Sequence, residues 1–344
     1  MRPTRVLIAA PCQGGYGGIE AFILAVAEAV RREPEMEARI CLLRTKGTKM
    51  QPDLKAMLRG EDPLICERVD RDLVAAIRWA DVVHLQNASP AVVFLSKLFC
   101  KRLVLTIHNH QPKGFDLQRW SAPFANERWY NSQFVWNNWE PAKKRAGSRK
   151  VPTTSVFPEG WTPPAERRGF VFIGRWLANK GIDTLLDAYA QAQLDREQWP
   201  LVMMGDGPLR SLIEYAVKKR GVPGIEVLGF VDPETKTERI RNARWMVVPP
   251  NTKEGLGLAA LEARNVGVPC IITRDGGLPE AGGGQALMCE PNNPAALSAL
   301  LEQAATMSEA EYAARAHRTC EELAAELEPI GFYAREFRRL AAAR

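Results

Sequence analysis

The sequence predicts an α/β protein built from two Rossmann-like domains that face each other across a cleft. Its 344 residues are too many for one ordinary core and suit two domains of comparable size. Short apolar runs alternate with amphipathic segments, which is the rhythm of a parallel, doubly wound sheet. The rhythm lapses near the middle of the chain and then begins again. Ligands bind outside the carboxyl ends of the strands in such sheets, so two domains would share one crevice.

The first domain is predicted over residues 1–160. Its elements are, in order, strand RVLIAA from Arg5, helix Ile19–Arg32, strand ARICLL from Ala38, strand ADVVHLQ from Ala80, the helical pattern Pro90–Cys100 and strand RLVLTIH from Arg102. A Trp- and Asn-rich stretch then breaks the rhythm. Four prolines between positions 152 and 164 argue against regular structure, so we place the linker at 151–169.

The second domain is predicted over residues 161–329. Its elements are strand GFVFIG from Gly169, helix Ile182–Gln193, strand PLVMMG from Pro200, helix Leu209–Arg220, strand IEVLGFV from Ile225, a short helix near Thr235–Asn242, strand WMVVPP from Trp245, helix Gly257–Asn265, strand VPCIIT from Val268 and a helical tail from Pro294. The strands are apolar enough to be buried on both faces.

Composition indicates a soluble, cytoplasmic protein. Apolar residues make up 46% and charged residues 25% of the chain, and no segment approaches the roughly 18 apolar residues of a membrane helix. The first apolar run has no cleavage region behind it and is interpreted as a core strand, not a signal peptide. Seven cysteines without metal-type spacing are typical of a reducing compartment.

Positive charge is concentrated in the first half of the chain. Residues 1–160 carry 24 basic and 16 acidic residues, whereas residues 161–344 carry 22 and 24. The excess suits an anionic partner, either a phosphorylated acceptor or the inner face of a membrane touched peripherally. A solvated face that aids solubility explains it equally well. Nucleic acid is disfavoured because the basic residues are dispersed.

The segment from Glu254 to Glu262 is the most informative one. Gly255 and Gly257 allow close approach of a ligand, and the helix that follows directs its first N–H groups and dipole toward an anion. At a helical rise of 1.5 Å, eight residues span roughly 12 Å, enough for a nucleotide-sugar. The sugar would lie near Glu254 and the ribose near Glu262. The diphosphate would lie between them, over Gly255, Leu256, Gly257 and Leu258. A Gly-rich helix start with two solvated glutamates is the alternative.

Other motifs supply the context for this segment. Arg175 and Lys180 follow strand GFVFI and could neutralise a diphosphate without a metal. The pattern G-R-x-x-x-x-K-G, then MGDGP with Gly205, GFV with Phe230 and Val231, and E-G-x-G-L-x-x-x-E resembles the GT-B glycosyltransferases of family 4. The resemblance covers the second half of the chain in the right order and spacing. It implies that these residues bind a UDP- or GDP-linked sugar.

The first half resembles the same family through fewer residues. Gly17 and Gly18 lie in a glycine loop after the first strand, and Glu20 opens the helix, as in the loop that approaches donor phosphates and acceptor. His108 ends a strand where the family keeps a histidine near the transferred sugar. His84 matches a second recurrent position, for which a structural role is favoured.

Two departures from the family pattern concern the acceptor. The family often has Asp after the strand-end histidine, where this chain has Asn109, and Asn-Gly where it has Glu159-Gly160. In the Trp-rich stretch, aromatic residues including Trp120 alternate with polar ones, which suits sugar or lipid-headgroup contact. Packing of an irregular segment is the alternative. The tail helix 330–344 resembles the closing helix that, in this family, returns to pack on the first domain. The alternative interpretation is an exposed amphipathic anchor.

The resemblance implies a retaining hexosyltransferase acting on a saccharide, a lipid-linked or a small-molecule acceptor. No covalent nucleophile is evident, and one aspartate between glycines makes a poor cation site, so we expect no metal and no cofactor. A sugar-nucleotide epimerase and a non-catalytic nucleotide-sugar-binding protein are the alternatives. A dehydrogenase is disfavoured because GGYGGIE is not the G-x-G-x-x-G fingerprint.

Overall fold

The computed structural model describes residues 2–58, 60–110, 116–153 and 166–343. It divides into two compact units, one formed by Met1–Ser155 with Glu328–Arg344 and the other by Val156–Leu327. Each unit contains one parallel sheet with helices. The predicted class of two parallel-sheet α/β domains is confirmed. Most of the predicted linker at 151–169, including Glu159-Gly160, lies outside the described residues.

The first unit has a seven-stranded parallel sheet in the order β3-β2-β1-β4-β5-β6-β7. The strands are β1 (Thr4–Cys12), β2 (Met36–Arg44), β3 (Leu64–Cys66), β4 (Val82–Gln86), β5 (Arg102–Ile107), β6 (Glu127–Tyr130) and β7 (Ser148–Lys150). The helices are α1 (Gly18–Arg32), α2 (Pro52–Met57), α3 (Arg71–Trp79), α4 (Pro90–Leu98), α5 (Leu117–Ser121) and α6 (Gln133–Trp139). Because β1 lies between β2 and β4, the strand order reverses there, which is where such sheets bind ligands.

The Trp-rich stretch was predicted to be irregular, and this prediction is wrong. It contains α5, β6 and α6. Strand β6 continues the sheet beside β5, and the Ser132 hydroxyl accepts a hydrogen bond from the amide of Val135 to start α6. Arg128 is buried and donates to the carbonyl oxygens of Ala125 and Ala146, which ties β6 to its flanking loops. Trp129 is fully buried, so its ring serves packing.

The second unit has a six-stranded parallel sheet in the order β10-β9-β8-β11-β12-β13. The strands are β8 (Arg168–Ile173), β9 (Leu201–Met204), β10 (Ile225–Gly229), β11 (Ala243–Val248), β12 (Cys270–Thr273) and β13 (Leu287–Cys289). The helices are α7 (Ile182–Gln191), α8 (Arg210–Arg220), α9 (Pro233–Asn242), α10 (Leu258–Asn265), α11 (Leu278–Gly282), α12 (Pro294–Thr306) and α13 (Glu309–Glu326). The strand order reverses between β8 and β11.

The last helix, α14 (Gly331–Ala342), packs on α1, β1 and β4 of the first unit. Its apolar face is buried: the Tyr333 ring lies 5.3 Å from that of Phe22, and Phe337 stacks on Trp129 at 6.1 Å. Glu336 pairs with Arg149 at 2.5 Å on the same unit. Because these contacts cover the apolar face, α14 is not an exposed amphipathic anchor. Among the helices of the described residues, none has the length and apolar character needed to traverse a bilayer.

Candidate active site

Three loops meet at the carboxyl ends of β8, β11 and β12, the point where the strand order of the second sheet reverses. Asn251 follows β11 and donates from its backbone amide to the carbonyl of Asn179 at 3.1 Å and from its side chain to that of Ala178 at 3.0 Å. Thr273, the last residue of β12, donates from its hydroxyl to the carbonyl of Pro250 at 2.8 Å. These bonds fix the three loops against one another.

Gly181 makes the contact between the first two loops possible. Its φ is +67°, and a Cβ at this position would lie 1.8 Å from the carbonyl oxygen of Pro249. Only glycine combines this left-handed backbone with such a close approach. The glycine that ends the G-R-x-x-x-x-K-G pattern therefore holds Lys180 against the loop that carries Glu254.

The structure brings Lys180 and Glu254 into direct contact. Lys180 Nζ lies 2.5 Å from Glu254 Oε1, and both side chains are partly buried. The sequence predicts that Lys180 binds the diphosphate of the donor and that Glu254 binds the hydroxyls of the adjoining sugar. As an ion pair the two residues form one polar centre at the end of the sheet, so a ligand that contacts one of them must compete with the other.

A glycine pair that the sequence analysis did not assign holds the backbone of Glu254. The amide of Gly277 donates to the Glu254 carbonyl at 2.8 Å. Gly276 has a φ of +62°, and a Cβ there would lie 2.3 Å from the same carbonyl oxygen. The doublet three residues after strand VPCIIT was a visible signal, because paired glycines close behind a buried strand mark a tight loop.

Helix α10 begins beside this centre. Its N-cap is Gly257, with a φ of +104°, and a Cβ there would lie 2.5 Å from Leu278 Cδ1. The first-turn amides of a helix have no intrahelical partner, and the N-terminus carries partial positive charge. Only Leu258–Asn265 is helical, so the helical rise assumed between Glu254 and Glu262 holds only for its second part.

Leu256 was expected to contact the donor, but its side chain is buried in the core. It is 5% exposed and belongs to the same apolar cluster as Leu261 and Leu278. The neighbouring Gly255 and Leu258 are half-buried. Burial of the leucine side chain anchors the loop beneath the helix start, and the expected contact of the Leu256 amide with the donor stays a prediction. Any contact that this residue makes with a ligand has to come from its backbone.

Glu262 faces a cation that the sequence analysis did not identify. Lys236 of α9 places its Nζ 2.8 Å from Glu262 Oε1, and the carboxylate is largely buried. Nothing in the sequence around Lys236 distinguishes it from a lysine on an exposed helix face. The pair follows from the packing of α9 against α10.

The loops after β8 and β9 nest into each other. The amide of Trp176 donates to the carbonyl of Asp206 at 2.8 Å, and a Cβ on Gly205 would lie 1.9 Å from the Gly174 carbonyl oxygen. Trp176 is fully buried beneath this contact, whereas Arg175 is exposed. The MGDGP glycine thus lets the two loops touch and leaves Arg175 at the surface of the same sheet end.

Phe230 and Val231 follow β10 at the same end of the sheet. Phe230 is exposed and Val231 half-buried. Asp232 then caps α9, accepting from the amides of Glu234 and Thr235 at 3.0 Å. Hydrogen bonding from Thr235 lowers the pKa of Asp232.

The glycine loop of the first unit connects β1 to α1. Gly14 has a φ of +88°, and its Cβ would lie 2.2 Å from the carbonyl oxygen of Lys49. Gly17 is the N-cap of α1, Gly18 its first residue, and a Cβ on Gly17 would lie 3.3 Å from Glu20 Oε2. The loop therefore puts the Glu20 carboxylate beside the start of α1.

His108 and His84 belong to one buried chain of hydrogen bonds. Thr106 Oγ1 lies 2.8 Å from His84 Nε2, which is 3.1 Å from Gln86 Nε2, and Gln86 Oε1 lies 2.9 Å from His108 Nε2. Burial lowers the pKa of His108 to about 4. Burial, with a smaller effect of His108, lowers the pKa of His84 to about 3. Both rings are therefore neutral at pH 7.

Gln86 sets the tautomer of His108. With its Oε1 directed at His108 it accepts the Nε2 proton, which leaves Nδ1 as the acceptor nitrogen of a neutral ring. The backbone of His108 is held by Asn87 Oδ1 and by the Asn131 side chain, each at 3.0 Å. In the sequence, Gln86 is only a polar residue at the end of strand ADVVHLQ, and its contact with His108 is not predicted.

Asn109 and Trp120 are both at the surface. Asn109 follows His108 and is exposed, and its carbonyl accepts from Trp139 Nε1 at 2.9 Å. Trp120 lies on α5 and is also exposed. Within the described ranges, no group of three or more His, Cys, Asp or Glu side chains could hold a metal ion.

The second unit matches a known family. Residues 156–319, a little under half of the chain, match the family described as glycosyl transferases group 1. An uncharacterized glycosyltransferase of Methanocaldococcus jannaschii is 34% identical over 126 residues, covering 36% of this chain and 34% of that protein. The O-antigen chain mannosyltransferase B of Escherichia coli is 33% identical over 139 residues, covering 39% and 35%. The chain matches about a third of the length of these relatives.

Solved structures match both units. Anabaena HepE in complex with UDP and glucose has a TM-score of 0.76 at 16% identity, covering 98% of this chain and 99% of that chain. Sucrose-phosphate synthase from Thermosynechococcus elongatus has a TM-score of 0.72 at 18% identity, covering 99% and 100%. These structural matches show that the fold is GT-B. Together with the family match, they support the assignment of the chain as a GT-B glycosyltransferase.

Proposed function

We propose that this chain is a retaining, family 4 hexosyltransferase. It moves a sugar from a UDP- or GDP-linked donor to a hydroxyl of a saccharide, a lipid-linked or a small-molecule acceptor. The reaction uses no metal. The observation that carries the proposal is the Lys180–Glu254 ion pair beside the start of α10, where the sheet order of the second unit reverses.

The donor diphosphate takes the place of Glu254 as the partner of Lys180. Phosphate oxygens are strong acceptors for an ammonium group and for helix N-terminal amides. Once Lys180 turns to the phosphate, the Glu254 carboxylate is released to accept hydrogen bonds from the sugar hydroxyls. The ion pair of the free enzyme thus keeps both groups ordered until the donor binds.

Catalysis rests on charge that develops on the leaving diphosphate. The bond from the anomeric carbon to the phosphate oxygen breaks, the bond to the acceptor oxygen forms on the same face, and the acceptor proton passes to the leaving phosphate. Arg175, Lys180 and the amides of Gly255–Leu258 meet more negative charge in the transition state than in the ground state, so they stabilise the transition state more.

His108 contributes as a neutral acceptor. Its low pKa keeps the ring uncharged at pH 7, and Gln86 holds the Nε2 proton. Nδ1 can then accept a hydrogen bond from a hydroxyl of the transferred sugar. Glu262 binds the ribose hydroxyls and Lys236 holds it in place.

Two similar proteins support a donor linked to UDP or GDP. A similar mycobacterial mannosyltransferase is described as GDP-mannose-dependent, and Anabaena HepE was solved with UDP. The choice between GDP- and UDP-linked hexoses is the first one to test. A thermal-shift screen against a panel of both separates them, since a ligand at 100 times its Kd adds about 2.7 kcal/mol to the unfolding free energy.

Turnover of the best donor tests the site. We expect Glu254→Ala and Glu262→Ala each to lower kcat/KM sharply, and EDTA to leave the rate unchanged. The matched control is Glu321→Ala, an exposed glutamate of α13. If both site variants keep wild-type turnover at saturating donor, the proposed site is wrong. NMR of the donor incubated alone identifies the rival activity, because an epimerase would change the sugar without an acceptor.

A further inference from the structure

The first unit carries a cluster of exposed apolar side chains. Phe94 and Leu98 on α4 are 39% and 70% exposed, Leu117 and Trp120 on α5 are 55% and 54% exposed, and Phe124 of the following turn is 44% exposed. We call these five residues the aromatic patch. They make up half of the large exposed apolar side chains of the described residues, and they lie on neighbouring elements.

The three rings of the patch form one cluster. Phe94 lies 5.6 Å from both Trp120 and Phe124, and Trp120 lies 5.7 Å from Phe124, measured between ring centroids. The rings therefore support one another while each keeps more than a third of its surface in solvent. Contiguous apolar surface of this kind marks an interaction site more often than scattered single residues do.

The chain around the patch is strongly basic. Among the described residues between positions 88 and 126 one, Asp116, is acidic, whereas four are basic: Lys97, Lys101, Arg102 and Arg119. Lys97 and Arg119 lie on α4 and α5 themselves, and both are exposed. Partial burial of its side chain, and secondarily the nearby charges of Arg102 and Arg128, lower the pKa of Lys97.

We propose that the aromatic patch docks on the surface of an anionic lipid bilayer. Trp and Phe rings are stable at the level of the lipid headgroups, where one side of the ring is apolar and the other wet. Lys and Arg side chains near an anionic leaflet are attracted to its negative surface potential. Binding at a bilayer surface strengthens with the apolar area buried and with the attraction to anionic lipids, and α4 and α5 supply both.

The proposal goes beyond the transfer reaction and does not depend on it. Leu98 and Leu117 add exposed aliphatic surface. Such surface packs favourably against lipid chains and offers no hydrogen bonds to a saccharide. Trp120, which the sequence placed among acceptor-contacting residues, then contacts lipid. The apolar face of α14 is buried, so it does not take part.

Flotation of the full chain with vesicles tests the proposal. We expect binding to vesicles of phosphatidylcholine with phosphatidylglycerol, and at least tenfold weaker binding to phosphatidylcholine alone. Phe94→Ser/Leu98→Ser should lower the partition coefficient on anionic vesicles at least tenfold. Lys97→Glu/Arg119→Glu should do so as well. The matched control is Leu212→Ser/Tyr215→Ser on α8, whose side chains are 55% and 60% exposed in the other unit.

Tryptophan fluorescence gives a second readout. Trp120 is the exposed tryptophan of the described residues, so its emission should shift to shorter wavelength when anionic vesicles are added. Trp120→Phe should abolish that shift. Circular dichroism verifies that each variant is folded.

Three outcomes would overturn the proposal. The first is an absence of vesicle binding by the wild-type chain. The second is equal binding by the wild-type and Phe94→Ser/Leu98→Ser chains. The third is a self-association, seen by size-exclusion chromatography, that Phe94→Ser/Leu98→Ser dissolves while vesicle binding is unchanged; the patch would then be an interface between copies of this chain.

Discussion

Gly276→Ala separates the positioning of Glu254 from the stability of the fold. Gly276 has a φ of +62°, and an added Cβ would lie 2.3 Å from the Glu254 carbonyl oxygen and 2.8 Å from its amide nitrogen. Ordinary contact begins near 3.4 Å, so one of the two backbones must move by about 1 Å. The hydrogen bond from Gly277 to the same carbonyl has to stretch with it.

Gly221 provides the matched control for this substitution. Its φ is +60°, and a Cβ there would have nothing within 4 Å. Alanine at either position therefore has the same left-handed backbone, which costs about 1 kcal/mol. Only Gly276→Ala adds a displacement of Glu254.

The two variants should differ mainly in activity. A misplacement of about 1 Å in a catalytic site can cost about 100-fold in rate, so we expect kcat/KM to fall by about that factor in Gly276→Ala and to change less than twofold in Gly221→Ala. Steady-state transfer and urea unfolding measure the two effects. If folded Gly276→Ala keeps kcat/KM within threefold of Gly221→Ala, the Gly276 turn does not position the reacting groups.

Two further predictions concern Glu262 and the buried histidines. Lys236→Met should raise the donor KM about fivefold, the equivalent of one hydrogen bond of about 1 kcal/mol, with kcat unchanged. The control is Lys218→Met, a substitution of an exposed lysine on α8. An unchanged KM in Lys236→Met would exclude a positioning role for Lys236. The pKa values of His84 and His108 are lowered to about 3 and about 4, so the unfolded chain binds more protons below pH 6.5. Their contribution to stability is complete above that pH and is lost as the pH falls toward 4, by up to about 1.4 kcal/mol per pH unit for each histidine. His84→Phe should reduce that slope in urea titrations between pH 6.5 and 5, and an unchanged slope would contradict the assignment.

Local patterns predicted the regular elements of the second unit closely. The structure has helices at Ile182–Gln191, Arg210–Arg220 and Leu258–Asn265, and each was expected within two residues at either end. Apolar periodicity and flanking glycines act over a few residues, so they are readable without the fold. The patterns failed in the Trp-rich stretch, where the neighbouring strand β5 and the buried Arg128 impose order on a segment with weak local signals.

The sequence alone determined the fold class and most of the proposed donor-binding residues. Glycines at loop ends and charged residues after strands can be recognised from their order and spacing in the chain. The tertiary structure decided which of those groups meet. Lys180 and Glu254 are 74 residues apart yet form one ion pair, and Lys236 finds Glu262 only because α9 packs on α10. Gln86 and His108 likewise meet because β4 and β5 are neighbours in the sheet. Such pairings depend on the path of the folded chain, which a local sequence pattern does not report.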